Sequence, residues 1–263
     1  MKLNLKEEFT SLAGAVKSLN KKITVILLSV AVLQTVSWYL TSRQFFRNNF
    51  YYTIFDGNTN ADVYEFIYWF AGDFITFFIC GLLIIKLFFR ENLKDYGVNF
   101  GSFSLGIKIS LISIAVMSVV IWFVSASNSF SESYPLLERS KYDWGVFLIF
   151  QAFLLLFLFA WEFFWRGFML FGLKKEFGYY AVLLQMIPFV ILHNGKPFLE
   201  TFGAIGGAIA LGIIAYRTGS FLYGVIIHYA VYFMLDFLSI LRFRTGISGS
   251  GLNSFFQIIS KLF

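Results

Sequence analysis

Glu162 and Arg166 stand four residues apart inside an apolar run from residue 144 to 173, a spacing that puts an acid and a base on one helical face. Ionised groups are costly in hydrocarbon, so the two must be paired and must face protein or a water-filled cavity rather than lipid. Both histidines of the chain also lie in apolar stretches: His193 ends one, and His228 sits in the middle of another. A neutral imidazole can ligate zinc or orient a water, and a carboxylate can accept the water's proton. Two histidines and a carboxylate around an open position have the composition of a hydrolytic metal site. His193, His228 and Glu162 are therefore the candidate metal ligands and zinc the candidate ion, with Arg166 fixing Glu162.

Depth along the helices lets these groups meet. Counted from Glu176, Glu162 is 14 residues back and His193 is 17 residues forward. At ~1.5 Å per residue both lie roughly 20–25 Å from that turn. His228 is ten residues beyond Thr218, roughly 15 Å along its own helix.

The elements that carry these residues follow from composition. Of 263 residues, 58% are hydrophobic and 14% charged, more apolar surface than a soluble domain of this length can bury. The fold class is an all-α polytopic membrane bundle of about seven transmembrane helices, over residues 23–40, 63–89, 103–124, 144–173, 179–193, 200–216 and 221–241. Residues 1–22 form an amphipathic segment, with Leu3, Leu5, Phe9, Leu12 and Val16 sharing one face. Residues 23–263 form a single membrane domain. Asn194 to Pro197 is a turn signal after the fifth span, which Pro188 interrupts. In the sixth span Gly203, Gly206, Gly207, Ala208, Ala210 and Gly212 predict close helix packing.

The net charge of +6 does not indicate nucleic acid, because the basic residues sit mostly between apolar runs as topology signals and lipid-headgroup contacts. Lysines before the first span and Lys86, Arg90 and Lys94 after the second favour a cytoplasmic N-terminus. Cys80 is the only cysteine, so no intrachain disulfide can form, and no cleaved signal peptide is expected.

Three motifs on successive helices resemble those of the CPBP family of intramembrane proteases, the Abi or CAAX-protease-like family. That family carries E-E-x-x-x-R, then F-x-x-x-H, then H-x-x-x-N. Here the stretches run from Trp161-Glu162 to Arg166, from Phe189 to His193, and from His228 to Tyr232. The likeness has its core at about residues 144–241. It implies a metalloendopeptidase of the cell membrane, of bacterial inner-membrane type, acting on a membrane-associated or lipidated peptide or protein. Two positions depart from it: Trp161 replaces the first glutamate, and Tyr232 replaces the asparagine. Glu162 is then the second glutamate of the family's pair, the one that positions the site. Glu162 itself or Glu200 could supply the missing carboxylate, although Glu200 reads equally well as a first-turn acid of the sixth span. Tyr232 could hydrogen-bond an oxyanion. The same departures suit a catalytically altered member serving as scaffold, immunity factor or regulator. A proton-coupled transporter is disfavoured, since the chain shows no internal repeat and no paired broken helices.

Overall fold

The structure, a computed structural model, describes residues 5–196 and 198–261. Leu3 of the amphipathic face and Pro197 of the turn signal lie outside them. The described residues are helical with no strand. Six helices among them are long and apolar enough to cross a membrane: α2 (Lys21–Tyr51), α3 (Ala61–Phe89), α4 (Phe103–Val124), α5 (Trp144–Phe177), α7 (Glu200–Thr218, preceded by a first turn from Phe198) and α8 (Leu222–Thr245). Before them α1 (Leu5–Ser18) buries no residue, and Leu5, Phe9, Leu12 and Val16 are exposed. The chain ends in α9 (Leu252–Ser260).

The fifth expected span is different in kind. It forms α6 (Tyr180–Ile191), only 12 residues or ~18 Å long, short of the ~30 Å hydrocarbon core. Pro188 removes one backbone donor inside it, and the chain turns immediately afterwards. The backbone N–H of His193 reaches Val190 O, and that of Lys196 reaches His193 O. This early stop leaves His193 in a turn deep inside the bundle.

α5 is the central element. The Asp143 side chain caps its start by accepting from the Gly145 and Val146 N–H groups. Its 34 residues extend ~51 Å, so it must tilt or protrude from the bilayer. Residues Phe163–Leu170 are all buried, in a core shared with Phe77, Phe189 and Phe221. A second aromatic cluster joins Phe66 and Phe70 of α3 to Phe150 and Phe157 of α5.

Two other buried acids serve as struts. Glu65, expected near the interface, is 2% exposed and paired with Arg43 and Arg47. These arginines follow a break in α2 at Ser42, whose backbone is extended and whose hydroxyl accepts from Phe45 N–H. Asp73 accepts from the hydroxyls of Ser37 and Thr41, at 2.7 Å each, and from the Trp69 indole at 2.8 Å.

The small-residue stripe of α7 packs closely at Ala208, which is fully buried, and at Gly212. A Cβ on Gly212 would meet Val182 Cγ1 at 2.8 Å, while Gly203, Gly206 and Gly207 have open space beside them. Periodicity marks a face of small residues but does not say what that face meets.

Candidate active site

Glu162 and Arg166 are both fully buried on α5. Arg166 Nη1 donates to Glu162 Oε1 at 2.9 Å. The same oxygen lies 2.8 Å from Nδ1 of His228, which reaches across from α8. A carboxylate oxygen only accepts, so in the neutral imidazole Nδ1 carries the proton and Nε2 presents a lone pair. The contact needs room on α8, and Gly224, one turn before His228, supplies it: a Cβ there would lie 2.6 Å from Glu162 Oε2. Among the described residues Glu162 Oε2 and Arg166 Nε and Nη2 have no hydrogen-bond partner. The guanidinium carbon instead lies over the Phe189 ring, 4.4 Å from its centroid.

Phe189 joins the second histidine to this pair. Its ring centroid lies 4.6 Å from that of His193 and 6.4 Å from that of His228. His193 Nδ1 is 2.8 Å from the Phe189 carbonyl, an obligate acceptor, so this imidazole also directs its Nε2 lone pair away from its backbone contact. Trp161 closes the wall, with its ring 5.7 Å from Phe189 and 6.5 Å from His193.

Glu200 is held elsewhere. Lys196 Nζ donates to Glu200 Oε1 at 2.6 Å and to the Tyr232 hydroxyl at 2.7 Å. Tyr134, from the loop between α4 and α5, donates to Glu200 Oε2 at 3.1 Å. Burial pushes the Tyr134 phenol above its usual range, which keeps it a donor. Burial alone would lower the Lys196 ammonium, but Tyr232 and Glu200 outweigh it and hold it above its usual value. Tyr232 links this group to the histidines, its ring 5.3 Å from His228. Glu162, Arg166 and His228 are thus in direct contact, His193 joins through Phe189, and Glu200 joins only through Lys196 and Tyr232.

Residues 143–234 match the family described as Type II CAAX prenyl endopeptidase Rce1-like. Over that segment the chain is similar to the CAAX-protease-like family. No curated protein matches the chain, and neither does any solved structure. All five candidate residues fall inside the CAAX-protease-like segment, as do Lys196 and Tyr232.

Of the expected zinc set, Glu162 and His228 are in direct contact, while His193 joins them only through Phe189. Glu162 Oε1 already accepts from two donors, and His228 directs Nδ1 at that carboxylate. Among the described residues no three His, Cys, Asp or Glu side chains converge as metal ligands, and no step below is routed through a metal. Lys196, Tyr134 and Gly224 complete the cluster without having been marked in the sequence. Gly224 alone left a local signal, a glycine one helical turn before a buried histidine.

Proposed function

We propose that this protein is a membrane endopeptidase of the CAAX-protease-like type in which a glutamate–histidine pair does the proton work. The supporting observation is the 2.8 Å contact from His228 Nδ1 to Glu162 Oε1. It fixes the imidazole's tautomer and orientation and leaves Nε2 as a base. His228 Nε2 takes a proton from water as the water oxygen attacks the peptide carbonyl carbon. His193 Nε2 accepts the water's second hydrogen and holds its orientation. The Tyr232 hydroxyl accepts from Lys196 Nζ and keeps its own proton, through which it hydrogen-bonds the oxyanion. When the carbon–nitrogen bond breaks, the His228 imidazolium returns its proton to the leaving amine. Glu162 is a positioning residue anchored by Arg166. The substrate class is a membrane-associated peptide, lipidated near its C-terminus, and the cell membrane is of bacterial inner-membrane type.

A second reading rests on Trp161. It packs against His193 where the family places an acid, and it suits a member that binds such peptides without cutting them, as a scaffold, immunity factor or regulator. Purified protein in liposomes, offered peptides ending in a prenylated-cysteine motif, separates the two. Hydrolysis is expected in the wild type, with a fall of roughly 10²–10⁴-fold in His228→Asn, a variant that leaves the Glu162–Arg166 pair in place. Equal turnover in wild type and His228→Asn would sink the proposed base. No cleavage by the wild type, with the same peptides bound, establishes the second reading instead.

A further inference from the structure

Far along α8 from the histidines, the end of α8, the segment after it and the loop between α4 and α5 line a half-open cavity of about 180 Å³, with Ser125, Asn128, Lys141, Arg242, Phe243 and Ser248 among its walls. Arg242 is 8% exposed. Its guanidinium donates only to neutral oxygens: Ser125 Oγ at 2.8 Å, Gly249 O at 2.9 Å, Trp122 O at 3.2 Å and Ile247 O at 3.3 Å. These bonds satisfy its donors and leave its charge uncompensated, since Arg242 forms no ion pair among the described residues. Buried charges are ordinarily paired.

Lys141 adds a second cation on the cavity wall. Its side chain is 15% exposed, and its one acidic contact among the described residues is a 3.4 Å approach to Glu138, itself 77% exposed. Such a pair is worth little. The surroundings are those of a membrane–water boundary. Trp122 lies 4.6 Å from the Arg242 guanidinium, Trp144 lies 4.5 Å from that of Arg244, and Tyr142 packs on Phe243. Tryptophan and tyrosine concentrate at that level.

We propose that this cavity binds a phosphate group, with Arg242 and Lys141 supplying the charge, and that the phosphate is carried by an anionic phospholipid. An anion here provides the counter-charge that Arg242 lacks. The volume accommodates a phosphate with several waters, and the apolar walls at Phe130 and Phe243 suit acyl chains entering from the bilayer. Free phosphate offers the same chemistry without the chains.

Native mass spectrometry of the full chain in detergent, titrated with phosphatidylglycerol, phosphatidylcholine and inorganic phosphate, tests this. Phosphatidylglycerol is expected to bind at least tenfold more tightly than phosphatidylcholine. Lys141→Gln should weaken it about fivefold, the worth of one cation at an anionic surface. Arg242→Gln should remove the preference. Lys141 lies outside the helices that α8 must hold together, so its variant keeps the test valid if Arg242→Gln fails to fold. Inorganic phosphate competing at equal concentration would assign the cavity to the free ion instead of the lipid. Equal binding of the two lipids by the wild type, or an undiminished preference in Lys141→Gln, overturns the proposal.

Discussion

Two buried carboxylates, Glu162 on α5 and Asp236 on α8, are both wholly inaccessible, yet they are accommodated in opposite ways. Glu162 is met by a buried guanidinium and an imidazole on a single oxygen. Asp236 is met by neutral donors on separate oxygens, the Leu136 backbone N–H and the Gln151 carboxamide, each at 2.9 Å. The first arrangement leaves a histidine nitrogen free for chemistry. The second ties the α4–α5 loop onto α8 through a backbone N–H and a carboxamide, neither of which takes up a proton. A buried acid is thus a mark of chemistry only when one of its partners keeps a basic atom free.

Removing one charge from each separates the two sharply. Glu162→Gln leaves Arg166 as an unpaired buried cation and should cost about 3–5 kcal/mol, read as a lower unfolding temperature in detergent. Asp236→Ala should cost less, about 1–3 kcal/mol, because it strands the Leu136 N–H and the Gln151 amide. Asp236→Asn should be close to neutral. Gln151 Oε1 has no partner among the described residues, so the amide can turn over and accept from the new side-chain N–H. If Asp236→Asn proves as damaging as Glu162→Gln, Asp236 carries a charge-dependent role and the contrast fails.

The sequence made the helical bundle legible, because long apolar runs permit little else. Depth counting put Glu162 and His193 roughly 20–25 Å and His228 roughly 15 Å from their turns, and of these Glu162 and His228 are in direct contact. The same count treated 179–193 as a crossing span, and there it missed the consequence of Pro188 and the turn at His193. Lys196 and Tyr134 were not legible. Tyr134 meets Glu200 across 66 residues, and Lys196 meets Tyr232 across 36, and no local periodicity encodes such pairings. The glycines of α7 show the converse limit: Gly203, Gly206 and Gly207 have open space beside them among the described residues.

A third carboxylate, Glu91, extends the comparison to the surface. Lys22 Nζ donates to both of its oxygens, at 2.8 and 2.6 Å, and the Tyr96 hydroxyl donates to Oε2. Partial burial alone would raise its pKa, but the hydrogen bonds from Lys22 and Tyr96 outweigh that and hold it below the usual glutamate range. With both charges about a third exposed, Glu91→Gln should cost about 1 kcal/mol or less, the smallest effect of the three acids. The sign with pH follows from the lowered value. This stabilisation is fully present above the ordinary glutamate pKa of about 4.3 and is lost as pH falls through the lower folded-state value. Unfolding temperatures of wild type and Glu91→Gln should therefore differ at pH 7 and converge in acid, and added salt should narrow the gap at pH 7. A gap that persists unchanged below pH 3 would make the contact one of packing rather than charge, and Glu91 would join Asp236 as a strut.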